Sequence, residues 1–349
     1  MIDFYLIKII FLSTLAFIFT IFWTPFLSDI LYKYKLGKKI RNSGSTPIFS
    51  ELHAHKAGTP TMAGILIWGT LLIFILFFYF IGQILPIDIL KNLNFLTQKE
   101  TLLPLGALIV SALIGLFDDW LDVRGKGVLG GGGLKTRHRL LIYTFIAIFA
   151  ALWFYFKLDW SMIHVPFFGN FEIGLWYIPI FVFIIVATSF SVNETDGLDG
   201  LAGGTLMVSY VSYGIIAFSM GRYDLAAFCG VLMGALLAFL WFNIAPARFY
   251  MGDTGSMSLG VTLGIIALLT NNIFILPFIG FIFMIESGSV IIQLLSKRFR
   301  HKKVFLSSPI HHHFQAIGWP ETKVVMRFWS VAGVMAAIGL MIFLLDKNI

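Results

Sequence analysis

Two aspartates, a glutamate and an asparagine crowd the stretch VNETDGLDGLAGG, residues 192–204, where a long apolar run stops. Asn193, Asp196 and Asp199 recur at every third position, a spacing that a helical turn would align on one face. Gly197 and Gly200 point instead to a tight turn that lets backbone close on a ligand. Comparable groups follow other apolar runs. Asp118 and Asp119 end LIGLFDDWLD, Asn243, Tyr250 and Asp253 lie in FNIAPARFYMGDTGS, and SSPIHHHF holds His311, His312 and His313. Carboxylates at a membrane are costly and usually functional. With no matching cations inside the spans and basic loops beside them, they suggest a cation held between acids and an anionic substrate. Magnesium suits that role, because it takes one or two carboxylates and completes its shell with water and phosphate oxygens.

Each group has a plainer reading. Adjacent Asp118 and Asp119 diverge by about 100° on a helix, so together they need only wet a helix end. Asp-Gly pairs are commonly loops, and Asp253 or Thr254 could simply cap the helix that follows. The three consecutive histidines do not have zinc-ligand spacing, and there is no Cys-x-x-Cys. Phosphate binding or orientation of a carboxylate fits them better.

The elements that must carry these groups are membrane helices. The 349-residue chain is 58% hydrophobic and 12% charged, against about 25% charged in soluble proteins. Apolar runs at 4–27, 61–81, 101–118, 139–156, 175–192, 204–220, 225–243, 256–271, 273–296 and 324–345 predict ten helical spans. The chain reads as one all-α polytopic catalytic domain, 1–349, with no soluble domain or internal repeat. The first run is too long for a signal peptide and lacks its cleavage pattern. Lysines and arginines concentrate in the loops 31–60, 118–138 and 297–323, which marks them cytoplasmic. Both termini are then outside, and the four groups of polar residues singled out above all fall on the cytoplasmic face. A small external hairpin is expected at 166–173, with Gly169-Asn170 as its turn. The glycine run 130–133 reads as a flexible cytoplasmic segment. The lone Cys229 permits no intrachain disulfide.

The motifs, taken in order, resemble the phospho-N-acetylmuramoyl-pentapeptide transferases of the polyprenyl-phosphate N-acetylhexosamine-1-phosphate transferase superfamily. They are GKKIRNSG at 37–44, HAHKAGTPTMAG at 53–64, FDD at 117–119, NETDGLDGLAGG at 193–204, FNIAPARFYMGDTGS at 242–256, ESGSVIIQ at 286–293 and HHHFQAIGWPETKVVMRFW at 311–329. The resemblance implies transfer of phospho-MurNAc-pentapeptide from UDP-MurNAc-pentapeptide to undecaprenyl phosphate, giving lipid I and UMP for peptidoglycan synthesis. It also implies a bacterial inner-membrane enzyme with a cytoplasmic cleft, a broken ninth helix grooved for the lipid, a homodimer, and no nucleic-acid partner.

The resemblance also assigns roles. Asp253 is the Mg²⁺ ligand. Asp118 and Asp119 are catalytic, Asp118 taking a proton from, or orienting, the lipid phosphate. Asn193, Asp196 and Asp199 line the nucleotide side, where backbone at Gly197 and Leu198 meets uracil. Tyr250 stacks on uracil with Asn243 close by. Lys56 and Thr61 belong to the nucleotide pocket, and Gln293 to the substrate site. His311, as a catalytic group, His312 and His313 lie near the phosphates and sugar. Lys135 matches a loop lysine that clamps the diphosphate. The chain departs from the family at Asp122, where a lysine is usual and Arg124 or Lys126 could substitute. It also departs at Phe190, Ala63 and Gln315.

The lipid phosphate has a second pKa near 6 and needs little deprotonation. Positioning and charge stabilisation then dominate, which favours direct attack on the β-phosphorus over an aspartyl-phosphate route. The competing readings are a sugar-1-phosphate transferase using UDP-GlcNAc or a similar donor, and an ion-coupled transporter. Transporter sites lie near the bilayer midplane, unlike these one-sided acids.

Overall fold

The computed structural model describes residues 2–37, 56, 58–85, 88–98, 100–125 and 133–347. Most of the motif at 37–44, residues 53–55, Lys126 and the glycines at 130–132 lie outside the described residues.

The helices, in order, are α1 (Ile2–Lys33), α2 (Ile65–Ile84), α3 (Asp88–Leu93), α4 (Leu102–Val123), α5 (Thr136–Lys157), α6 (Tyr177–Thr195), α7 (Leu201–Ser219), α8 (Tyr223–Asn243), α9 (Asp253–Leu269), α10 (Leu276–Ile279), α11 (Phe281–Arg300), α12 (Ile310–Ala316) and α13 (Glu321–Lys347). Among the described residues, eight helices are long and apolar enough to cross a membrane. The protein is an all-α multi-pass membrane protein. The other two expected spans correspond to α9, which has 17 residues, and to α10 with α11. Between those two the helix is interrupted at Gly280. The Ile279 carbonyl freed by the interruption accepts a hydrogen bond from Ser209 Oγ at 3.2 Å.

α9 is the axis of the bundle, buried at every position from Asp253 to Leu269. Glycines let its neighbours come that close. A Cβ at Gly115 of α4 would run into the carbonyl oxygen of Asp253, and one at Gly260 would stand 2.6 Å from the Thr188 carbonyl of α6. Gly115→Ala is therefore expected to destabilise the chain by about 1–3 kcal/mol, the usual cost of overpacking. An unfolding titration in SDS would read it, and an unchanged midpoint would show that α4 and α9 can part freely. α11 is built the other way round. Glu286, Ser289, Gln293 and Ser296 are buried, while Ile291, Leu294, Leu295 and Phe299 are exposed. In hydrocarbon such a helix turns its apolar side to lipid and its polar side to protein.

Strands β1 (Met162–Val165) and β2 (Gly169–Glu172) form an antiparallel hairpin, with Val165 opposite Gly169. The turn is therefore 166–168, three residues ahead of the expected Gly169-Asn170 pair, which belongs to β2. Pro166 fixes the first central residue of a tight turn. Phe167 takes the left-handed second place at φ 68°, and Phe168 N–H bonds to the Val165 carbonyl at 3.0 Å.

The hairpin marks one end of the bundle. His164 N–H donates to Asn271 Oδ1 at 3.1 Å just past α9, and Phe167 N–H donates to Asp346 Oδ1 at 2.6 Å at the end of α13. Lys8 near the start of α1 pairs with Asp224 at 3.0 Å, at the start of α8. Both ends of the chain thus share the hairpin end, as ten spans require. The acids gather at the opposite end, where α9 begins.

Candidate active site

The α9 N-terminus is set by a carboxylate from another helix. Gly252 occupies the cap position at φ 73°, a left-handed conformation suited to glycine. Asp253 is the first helical residue and does not itself cap α9. The cap is Asp119 of α4, whose two oxygens accept the backbone N–H groups of Asp253 and Thr254, each at 3.0 Å. Those N–H groups are among the ones a helix start leaves unpaired, and a negative charge there is favourable. Asp119 thereby fixes where Asp253 stands. Thr61 Oγ1 is buried beside this turn, 2.7 Å from where a Gly252 Cβ would lie.

Asp253 and Asp118 converge on Arg139 in the first turn of α5. Arg139 Nη1 lies 2.7 Å from Asp253 Oδ2 and Nε 2.5 Å from Asp118 Oδ2. Asp118 Oδ1 accepts the Leu134 N–H at 2.5 Å. Asn193, in the last turn of α6, donates to Asp253 Oδ1 at 2.7 Å and to Ser256 Oγ at 2.9 Å. Its carbonyl accepts the Asp196 N–H at 3.2 Å. Asp118, Asp253, Asn193 and Asp196 are thus joined by a chain of direct contacts. The expectation of no matching cation inside the spans is corrected here, because Arg139, in the first turn of α5, lies between Asp118 and Asp253.

A second cluster forms the neighbouring wall. Lys56 Nζ lies 2.6 Å from Asp199 and 2.5 Å from Glu321, at the start of α13. Glu321 also accepts the Asp199 N–H at 2.7 Å, and Asp199 accepts the Ala247 N–H at 2.9 Å. Asn243 ties two loops together, accepting from Gly200 N–H at 3.0 Å and donating to the Phe249 carbonyl at 2.8 Å. The backbone of Tyr250 bridges Pro60 and Ala63, while burial pushes its phenol pKa upward. Gly197 and buried Leu198 lie in the α6–α7 turn, with Gly197 against His311.

The three histidines occupy α12 but differ in setting. His311 is fully buried and meets Glu286 Oε2 through Nδ1 at 2.9 Å. His312 meets Gln315 at 3.0 Å, and His313 Nδ1 accepts the Leu306 N–H at 3.3 Å. Gln293 pins the loop ahead of α12, accepting from Val304 and Phe305 N–H at 3.0 Å each. Burial drives the pKa of both His311 and His312 down to about 3. Their folded values lie below the ordinary 6.5, so the unfolded chain binds more protons between those limits. The stability these two rings contribute is present above pH 6.5 and is lost progressively as pH drops toward 3. His311→Gln is expected to flatten that slope in unfolding titrations at stepped pH. An unaltered slope would place the titration elsewhere.

Lys135 is exposed, just before α5. Arg139, four residues on, reaches Asp118 and Asp253. Arg124 lies over the Trp120 ring, 4.4 Å from its centre. Arg139, Glu286 and Glu321 were not singled out from the sequence. The basic run TRHR, standing where an apolar span begins, was the one available signal for Arg139.

Two carboxylates on different helices already share one cation, and hard carboxylate oxygens are what magnesium takes. The residues fit such an ion. Among the described residues no group of three or more His, Cys, Asp or Glu is placed to hold a metal ion by itself.

A multi-pass helical bundle with an acid-lined site at one end, matching Glycosyl transferase family 4 over residues 101–271, defines a membrane-embedded transferase. The phospho-N-acetylmuramoyl-pentapeptide-transferase of Chloroflexus aggregans is 37% identical over 347 residues, covering 96% of this chain and 89% of its own. Those of Geobacillus sp. (strain WCH70) and Staphylococcus saprophyticus are 38% and 40% identical, covering 94% and 95% of this chain and 95% and 98% of theirs. The chain belongs to the phospho-N-acetylmuramoyl-pentapeptide-transferase family.

Proposed function

We propose that the chain transfers phospho-MurNAc-pentapeptide from UDP-MurNAc-pentapeptide to undecaprenyl phosphate, releasing UMP and forming lipid I. The observation that carries this reading is the meeting of Asp118, Asp253 and Asn193, from three separate helices, around one cationic position in a member of this family. The basic loops support a cytoplasmic position for that end, in a bacterial inner membrane. The proposed assembly is a homodimer.

Asp253, with Asp118 beside it, would hold Mg²⁺, which supplies charge neutralisation for the departing UMP. Arg139 adds a second positive charge for two anionic reactants. Both Asp118 oxygens are engaged, by Leu134 N–H and Arg139, which supports an orienting role over a nucleophilic one and favours direct attack by the lipid phosphate. Lys56, Asp199 and Tyr250 form the wall offered to the nucleotide.

The test is UMP release from UDP-MurNAc-pentapeptide, with and without undecaprenyl phosphate and Mg²⁺. Release that requires both is expected. Release from UDP-GlcNAc alone would move the chain to another donor, and no release from any UDP-sugar would end the reading.

A further inference from the structure

The buried pair Glu286–His311 stands apart from the Asp118–Arg139–Asp253 contacts. Both side chains are completely buried, and they meet across 25 residues of sequence, α11 to α12, at 2.9 Å. Glu286 also faces the first backbone N–H groups of α12, at Ile310 and His311. Its Oε2 holds the ring, while Oε1 is buried with no hydrogen-bond partner among the described residues. The other ring nitrogen, His311 Nε2, is buried without a hydrogen-bond partner among the described residues. It is turned toward Gly197 in the α6–α7 turn, and a Cβ there would collide with it.

A carboxylate can only accept, so the ring nitrogen that meets Glu286 Oε2 is the one that carries hydrogen. We infer that Glu286 is a positioning residue that holds His311 as the neutral Nδ1–H tautomer. Nε2 then presents a lone pair as a hydrogen-bond acceptor for an N–H or O–H of the nucleotide-sugar donor. The hydrogen bond made by one ring nitrogen selects what the other can do. An acceptor at Nε2 carries no proton to give a phosphate oxygen. It does suit an amide, imide or hydroxyl of the donor. A buried nitrogen left unpaired is unfavourable, and a donor group arriving there would relieve it. Glycine at 197 gives the thinnest cover the chain allows over that atom. The inference rests on the proposed function for the identity of the ligand, while the tautomer itself is independent of it.

The experiment uses the full chain in nanodiscs with ¹⁵N-labelled histidine. Long-range ¹H–¹⁵N spectra report which nitrogen of each ring is protonated, and His311→Gln identifies the His311 signals. Wild type is expected to show His311 protonated at Nδ1 alone, with the unprotonated Nε2 signal shifting when UDP-MurNAc-pentapeptide is added. Glu286→Gln, which offers an amide in place of the carboxylate, is expected to lose the single tautomer. It should also lower kcat/KM for the donor by about 10–100-fold, as loss of an outer partner to a functional histidine does. Wild-type His311 protonated at Nε2 would overturn the inference without any variant. So would a Glu286→Gln chain with unchanged tautomer and kcat/KM. Absence of UMP release by wild type would instead count against the proposed function and leave the tautomer result standing.

Discussion

Asp253→Ala is expected to cut turnover by at least about a hundredfold, the scale of losing one strong electrostatic stabiliser. Every part of Asp253 is held. Oδ1 accepts from Asn193 at 2.7 Å, Oδ2 pairs with Arg139 at 2.7 Å, and its N–H donates to Asp119 at 3.0 Å. Such restraint aims one carboxylate at one place, and it is the residue proposed to hold the metal. Truncation also leaves Arg139 with Asp118 as its remaining ion-pair partner. Asp253→Asn separates the two effects, because it keeps the shape and removes the charge. Rates of UMP release at saturating donor and lipid, compared across both variants, measure the loss. Turnover within threefold of wild type would remove Asp253 from the chemistry.

Arg139→Gln should produce the largest stability change of any single substitution at the site. Arg139 is 18% exposed and the Asp118 side chain 4%. Removing the guanidinium leaves two carboxylates facing each other with little water. Breaking a buried pair from one side typically costs about 3–5 kcal/mol. A divalent ion could take over as counter-charge, so added MgCl₂ should recover part of the loss in SDS unfolding titrations. The double variant with Asp253→Asn should lose less than Arg139→Gln alone, since one of the repelling charges is gone. A single variant within 1 kcal/mol of wild type, indifferent to MgCl₂, would show that the acids do not need a cation between them.

The spans and the acids were legible for the same reason, since both are extremes of solvation. An apolar run of about 20 residues has few structures open to it, and a carboxylate beside one demands an explanation. Partners were not legible. Asp119 meets Asp253 and Thr254 across more than 130 residues, and nothing in FDD tells which aspartate caps and which pairs. Arg139 falls at the first position of the expected span 139–156 and outside the basic loop counted for topology, and nothing in its spacing shows that it turns toward Asp118 and Asp253. Lys135 entered only through the family resemblance, and it is exposed just before α5. The hairpin was recognised, but Gly169-Asn170 outweighed Pro166-Phe167 as a turn signal. Pro166 and the left-handed Phe167 decided the register.

The length of the central helix bears on how a water-borne sugar nucleotide meets a lipid-borne phosphate. At 1.5 Å per residue, its 17 residues cover about 25 Å, against a hydrocarbon thickness of about 30 Å. A helix ringed by protein pays no mismatch penalty for falling short, since no acyl chain touches it. If the shortfall is taken where Asp253 stands, the reacting phosphates come together slightly beneath the headgroup plane. A prenyl chain could then deliver its phosphate there without being lifted out of the bilayer.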